Sequence, residues 1–404
     1  MQRLFMVGGW TDIYAHAKAC GFHLTVAQNK EDVKPEDLAV VDRMITIAKN
    51  DPRVPELAAA LHQSEPFDAA VSFQEHGVFN AARVREELGI FGNPLSAVGL
   101  ARDKGLLRQH MKARGIPSIP FALVDSADEA RAFADEIGWP VMIKPVSASG
   151  SDCVQKLTGP QDVQAAYARI ASRYPGQGVI VEQFMVGPEV SVEALSWNGR
   201  HTVLGVTDKI TTGAPFFVEL GHSHPSSLGA AVIAQIEALT LQLLDSMGHL
   251  HGPTHTEMIV TADGPRVVEA HTRTGGDRIF EMVELVHGVN LFDTTLRGFA
   301  GAFPDLAPHA PRGAAIRYFD LPEGVVTHVA GIDEARAMPG IVRIEHSLET
   351  GKPSMPVRKS GDRLGYVLAQ GADRAEAVRR VEDAMARIRV VVESSTALAD
   401  GRTP

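Results

Sequence analysis

Glu257 and Glu269 stand at equal distances from Asp263 in the segment Thr254-His-Thr-Glu-Met-Ile-Val-Thr-Ala-Asp-Gly-Pro-Arg-Val-Val-Glu-Ala-His-Thr-Arg. Two strand-like runs flank an Ala-Asp-Gly-Pro turn, which predicts a β-hairpin. A turn centred on Asp263 sets the two carboxylates opposite each other, with Cβ atoms roughly 5 Å apart. Met258, Val260, Val268 and Ala270 then take the other, buried face. Opposed carboxylates repel unless a cation joins them. Mg²⁺ suits such a pair, because it takes a few carboxylate oxygens together with phosphate and water oxygens. The strand period brings His271 and Arg273 to the side of Glu269. The competing reading is an exposed polar face with two unrelated glutamates.

Three further segments carry candidate chemistry. In Gly138-Trp-Pro-Val-Met-Ile-Lys-Pro-Val-Ser-Ala-Ser-Gly-Ser an apolar strand ends in Lys144, and a loop of small residues follows. A lysine at the end of a buried strand is unusual unless an anion meets it, and small residues let backbone N–H groups approach phosphate oxygens. The lysine precedes the loop, so this is not the P-loop motif. In Val179-Ile-Val-Glu-Gln-Phe-Met-Val-Gly-Pro-Glu-Val-Ser-Val-Glu one strand carries Glu182 near its end, and the next shows Glu189, Ser191 and Glu193 on one face. Carboxylates so placed can accept from an amino group or from hydroxyls; a solvent-facing acidic strand is the alternative. Arg102-Asp103-Lys104 opens a helix, with Asp103 as N-cap and Lys104 in its first turn.

The elements that must hold these residues alternate between strand and helix patterns, which predicts an α/β fold. Leu4–Val7, His23–Ala27 and Phe67–Phe73 read as strands of an open parallel sheet with ligands at their carboxyl ends. Glu75 and His76 sit at such an end. Gly8-Gly9 lacks the GxGxxG spacing and reads as a tight strand-to-helix turn. Residues 89–94 form a linker, Ala101–Arg114 a helix stopped by Gly115 and Pro117, and the Pro/Gly-rich stretch 307–313 a second boundary. Strands near Ala314–Phe319 and Leu364–Gln370 precede a charged helix over Asp373–Arg389. The chain of 404 residues thus divides at 1–97, 98–310 and 311–404.

Bulk properties exclude several classes. Hydrophobic residues make up 45% and charged residues 22%, as in globular proteins. Net charge is −10 with no Lys/Arg-rich block, which argues against nucleic-acid binding. Cys20 and Cys153 have no CxxC partner, so neither a disulfide framework nor a zinc site is expected. The N-terminus is too soon interrupted for a signal peptide, and no apolar run reaches the roughly 20 residues that span a bilayer. A soluble, cytoplasmic protein without membrane partners is expected.

The order of these segments resembles the ATP-grasp superfamily: Asp-Lys then Gly-Ile-Pro, Pro-Val-Met-Ile-Lys-Pro with its small-residue loop, Val-Glu-Gln-Phe, Gly-Pro-Glu-Val-Ser-Val-Glu, and Glu257…Glu269 with Arg273-Thr-Gly-Gly. The resemblance covers about residues 98–305 closely and 1–97 more loosely. It implies an ATP-grasp fold: an N-terminal open parallel α/β domain, two α+β subdomains holding ATP between them, a lid at about 117–190, and a C-terminal α+β region. By similarity, Lys104 and Lys144 contact the α- and β-phosphates of ATP, and the loop with Ser149, Gly150 and Ser151 covers them. Glu182 reads the adenine amino group, helped by backbone at Phe184 and Met185. Glu189 binds the ribose, and Lys209 joins the cofactor-binding set. Glu257 and Glu269 hold Mg²⁺. The third ligand position, usually Asn, is His271, which opens the site to Mn²⁺. Arg273, with backbone of Gly275 and Gly276, holds the reacting phosphate and the acyl intermediate. Asp152 replaces a more usual glycine and must point away from the phosphates.

Lys209-Ile-Thr-Thr-Gly-Ala-Pro-Phe-Phe-Val-Glu-Leu-Gly-His-Ser-His-Pro and Arg273-Thr-Gly-Gly-Asp-Arg-Ile resemble the L-amino-acid ligases that form dipeptides. That likeness implies that Glu219 pairs with a substrate ammonium and that His222 serves the tetrahedral intermediate or takes the amine proton. The implied reaction joins a small-molecule carboxylate to an amine through an acyl phosphate, releasing ADP and phosphate, in a homodimer. Alternatives within the superfamily are bicarbonate-activating carboxylation of the purine or biotin-dependent type and intramolecular amide formation.

Overall fold

The computed structural model describes residues 1–147, 150, 152–304, 306 and 312–394. Ser149 and Ser151, most of the boundary expected at 307–313 and the tail from 395 lie outside them.

The chain opens with β1 (Arg3–Val7), α1 (Thr11–Ala19), β2 (His23–Gln28), α2 (Pro35–Val40), β3 (Arg43–Thr46), α3 (Val54–His62), β4 (Ala69–Val71) and α4 (Glu75–Leu88). The four strands form a parallel sheet in the order β3-β2-β1-β4. A parallel sheet is covered on both faces, so its strands are apolar throughout. Accordingly Leu4 and Met6 join one core cluster with α1, while Phe5 and Val7 join another with α3 and α4. Gly8 and Gly9 close a tight turn: a Cβ on Gly8 would fall 2.2 Å from Gln74 Oε1. The carboxyl ends of β1 and β4 thereby converge on Trp10 and Glu75.

The helix expected over Ala101–Arg114 is broken in two. α5 (Leu95–Arg102) stops at Asp103, whose extended backbone and side chain cap α6 (Lys104–Ala113) by accepting from Leu106 N at 2.9 Å. Capping wins over continuity and sets Lys104 in the first turn. The next elements are β5 (Phe121–Val124), α7 (Ala127–Ile137), β6 (Val141–Pro145), β7 (Gln155–Leu157), α8 (Val163–Arg173) and β8 (Val179–Gln183). They build a four-stranded antiparallel sheet, β5-β8-β6-β7, with a core shared by α7 and α8. This small sheet occupies the region expected as a lid.

The body of the molecule comprises β9 (Glu189–Trp197), β10 (Arg200–Thr211), β11 (Glu219–His224), α9 (Ala230–Met247), β12 (Gly252–Thr261), β13 (Gly264–His271), α10 (Ile279–His287), α11 (Leu291–Phe299), β14 (Gly313–Tyr318), β15 (Gly324–Ala330), α12 (Ile332–Arg336), β16 (Ile341–His346), β17 (Pro353–Ser354), β18 (Gly365–Gly371), α13 (Arg374–Arg387) and β19 (Arg389–Glu393). One eight-stranded antiparallel sheet runs β13-β12-β9-β10-β11-β14-β18-β16. It crosses the boundary expected near residue 310 without interruption. The charged helix α13 ends earlier than its pattern suggests, and β19 pairs with β15 in a small three-stranded sheet, β17-β15-β19. α9 is apolar and long enough, by length and composition, to cross a membrane. Its Ile236, Leu239, Leu243 and Met247 pack against Val190, Val192, Met258 and Val267 of the sheet, the position of a core helix.

Candidate active site

Two connected recesses lie where the small sheet faces the large one. Lys104, Lys144, Glu182, Met185, Glu189, Ile259 and Val268 line the first, and Lys209, Glu257 and Glu269 are shared with the second. The hairpin β12–β13 brings Glu257 opposite Glu269, as expected, but through a bulge. Its loop closes at Thr261↔Gly264, so regular pairing sets Met258 against Val267 and would set Glu257 against Val268. The bulge lets Val268 and Glu269 both oppose Glu257. Val267 takes the buried position that strict alternation assigned to Val268, and Val268 joins Ile259 in the cleft wall. With Phe184, Met185 and Phe217 they give this end of the cleft the apolar character that suits a planar base. Phe184 also carries Lys156 Nζ 4.0 Å from its ring centroid.

Charges in the cleft are matched at close range. Glu182, 2% exposed, accepts from Arg108 Nε at 2.7 Å and from Lys144 Nζ at 2.6 Å through its two oxygens. Burial would raise its pKa; Arg108 and Lys144 more than reverse this and hold it at about 2. Burial lowers that of Lys144, and neighbouring Arg108 and Lys104 work in the same direction. Glu182, expected to read the adenine amino group, lines the cleft and orients Lys144 and Arg108 there. Lys104 Nζ lies 2.8 Å from Glu269 Oε2. Lys209, buried on β10, reaches Glu189 (2.6 Å), Glu257 (3.0 Å) and Glu219 (3.4 Å). Burial disfavours its charge, but these three carboxylates hold its pKa well above the ordinary lysine value. Asp152, at the cleft wall, accepts from Tyr174 Oη at 2.6 Å and Arg173 Nε at 3.3 Å at the end of α8. Gly150 lines both recesses.

The second recess is built around Arg273. Its Nε donates to Glu75 Oε2 at 2.7 Å, so the first residue of α4 in the N-terminal domain is docked on the hairpin. His271 bridges the same two parts: Nδ1 lies 3.1 Å from Glu75 Oε2 and Nε2 2.9 Å from Glu269 Oε1. Against its burial, Glu269 raises its pKa. His271 thus ties the N-terminal domain to the hairpin through Glu75 and Glu269. His76 faces a smaller neighbouring pocket with Arg102 and Lys104. Across the recess, Glu219 and His222 stand on β11, and His222 Nε2 lies 3.1 Å from Asp277 Oδ2. Arg363 clamps Asp277 with Nη2–Oδ1 at 2.7 Å and Nη1–Oδ2 at 2.9 Å. Trp10, Phe73 and Phe280 form an apolar wall at the N-terminal side.

Among the described residues no group of three or more His, Cys, Asp or Glu side chains is arranged to hold a metal ion. The pair Glu257/Glu269 nevertheless fits Mg²⁺: two hard carboxylates oppose each other in register, and their repulsion is offset by Lys209, Lys104 and His271. His255 adds to this, bound to Glu193 (2.6 Å) and Glu257 (3.2 Å), which against its burial raise its pKa to about 10. Glu193 is fully buried, so β9 is no solvent-facing acidic strand. Sequence reasoning assigned no role to Arg108, His255, Asp277 or Arg363. His255 and Asp277 nevertheless lie inside the quoted hairpin and Arg273-Thr-Gly-Gly-Asp-Arg-Ile runs, and Arg108 inside the helix read over Ala101–Arg114.

Family models match three stretches: an ATP-grasp N-terminal domain at 14–92, an ATP-grasp domain at 137–281, and an L-amino acid ligase C-terminal domain 2 at 317–393. The chain therefore carries ATP-grasp domains and has the fold of that class. Its C-terminal part carries the domain that the L-amino acid ligases have. The L-arginine-specific L-amino acid ligase of Bacillus subtilis is 23% identical over 293 residues, 71% of each chain. A formate-dependent phosphoribosylglycinamide formyltransferase of Mycolicibacterium gilvum is 27% identical over 90% of each. An uncharacterized Sinorhizobium fredii protein, y4rH, is 26% identical over 71% of this chain, which spans 60% of that relative's length. The crystal structure of an L-amino acid ligase from Bacillus licheniformis superposes with a TM-score of 0.83 at 20% identity, covering 98% of this chain and 99% of that one.

Proposed function

We propose that the protein is an ATP- and Mg²⁺-dependent ligase that joins the carboxylate of one amino acid, or a close analogue, to the amine of another. A carboxylate oxygen attacks the γ-phosphorus of ATP and the bond to the β–γ bridging oxygen breaks, giving an acyl phosphate and ADP. The amine then attacks the acyl carbon, the carbon–oxygen bond to phosphate breaks, and the nitrogen gives up a proton. Lys104, Lys144 and Arg273 neutralise charge on the transferring oxygens. Held by Glu257 and Glu269, Mg²⁺ would supply Lewis-acid neutralisation of phosphate oxygens. Glu219 offers a carboxylate to a substrate ammonium, and His222 a base to the attacking amine. Closure of the small sheet over the bound substrates would limit water that hydrolyses the acyl phosphate.

The observation that carries this reading is one recess holding Arg273 on one wall and the Glu219/His222 pair on another, opening onto the lysine-lined cleft. ADP release measured with pools of amino acids tests it. Release that depends on two amino acids, with a product of their summed mass less water, is expected. ATP-binding protein that forms no ADP with any amino acid would sink it. A second reading, activation of formate or bicarbonate, draws support from the formyltransferase that aligns over 90% of both chains. ADP release with formate or bicarbonate in the absence of amino acids would favour it. A homodimer belongs to the same proposal and is read by sedimentation.

A further inference from the structure

Arg363 lies just before β18, in the C-terminal region, yet its guanidinium ends behind the recess wall, between β11 and the turn after Arg273. It makes the two-pronged contact with Asp277, donates from Nη1 to the carbonyl of Glu219 at 3.2 Å, and stacks 4.0 Å from the Tyr318 ring centroid. Ser360 of the same segment lines the recess. Asp277 and Arg278 both hold positive φ angles, 53° and 61°, a conformation that non-glycine residues adopt only when their surroundings impose it. His222 is 1% exposed; its Nε2 faces Asp277 and its Nδ1 is buried with no hydrogen-bond partner among the described residues. A carboxylate facing Nε2 selects the tautomer protonated there and leaves the lone pair on Nδ1. This is the logic by which a base is oriented by a third group.

We propose that Arg363 is a positioning residue of the amine half-site: it fixes Asp277, which holds the His222 ring, and it fixes the start of β11 at Glu219. This rests on the ligase reading above. It gives the C-terminal domain a share in the second half of the reaction and none in the first. The amine's attack on the acyl carbon, with loss of phosphate and of one proton from nitrogen, depends on the clamp; transfer of the γ-phosphoryl group to the acid does not.

Hydroxylamine separates the two halves, because it captures an acyl phosphate as a hydroxamate without needing the amine half-site. Arg363→Met should keep ATP-dependent hydroxamate formation within about threefold of wild type while amide formation falls about 10²-fold, the loss typical of a misplaced reacting group. Arg363→Lys, which keeps one prong, should recover part of that loss. In ¹⁵N spectra His222 should show the Nε2–H form in the wild type and a tautomer mixture in Arg363→Met. Equal loss of both half-reactions in a folded variant, no loss in either, or unchanged His222 signals would overturn the clamp. If the wild type forms neither hydroxamate nor ADP, the ligase reading fails, and the His222 spectra still decide whether Arg363 orders that ring.

Discussion

Replacing Glu182 by Gln leaves Arg108 and Lys144 facing each other where little water reaches. Breaking a buried pair from one side costs about 3–5 kcal/mol, so urea unfolding of Glu182→Gln should show a loss of that order; a loss under about 1 kcal/mol would mean that the pair does not organise the cleft. Glu257→Gln and Glu269→Gln remove the opposed charges while keeping shape. Each should lower turnover by about 10²-fold or more, the scale of several kcal/mol of charge stabilisation, and should abolish the Mg²⁺ dependence of nucleotide binding in calorimetry. Unchanged Mg²⁺ dependence in both would remove the hairpin from the metal site. Lys144, Glu257, Glu269 and Arg273 were legible in the sequence because strand ends and hairpin spacing mark them locally. Arg108 and Arg363 were not, since their partners are 74 and 86 residues away. Only the fold brings such groups together, and it also shows Glu182 paired with Arg108 and Lys144 and His271 bridging Glu75 and Glu269.

At the scale of elements, the bulge in β13 decides which valine packs and which faces ligand. Val267→Ala should destabilise the fold by about 1–3 kcal/mol with little effect on nucleotide binding, as for loss of buried methyl groups. Val268→Ala should keep the fold and weaken ATP binding roughly 5- to 15-fold, the effect of one to two methyl groups of apolar contact. Isothermal titration and thermal unfolding of both variants check this, and the opposite assignment of the two effects would restore unbroken alternation. Strand and helix periods disclosed the parallel sheet, the hairpin and α13. They did not disclose the break at Asp103, where a capping side chain outweighs helix continuation, nor β19, whose pairing with β15 is long-range.

Across the whole molecule, buried histidines set the response to acid. The pKa of His224 is lowered to about 3 by burial and by His287, against nearby Asp208. Burial likewise lowers His249 to about 3, with His201 and His251 adding to it, and His251 to about 4, with Arg85 adding to it. Unfolded, each ring takes a proton below about pH 6.5. Between there and the folded values the unfolded chain binds more protons, so stability is present above pH 6.5 and lost as pH falls. The slope is about 1.4 kcal/mol per pH unit for each ring. Urea unfolding of the ligand-free protein should therefore weaken from pH 6.5 to 5, before most carboxylates titrate, and His224→Gln should flatten the trend. A flat wild-type profile would contradict it. The eight-stranded sheet ties the nucleotide hairpin and the C-terminal strands into one hydrogen-bonded plank. The small sheet meets that plank at its root, where Arg108 of α6 grips Glu182 of β8. Dissolved salt screens exposed charges within about 8–10 Å but penetrates poorly to a buried pair. The contact at the root is thus insulated from the ionic strength of its surroundings.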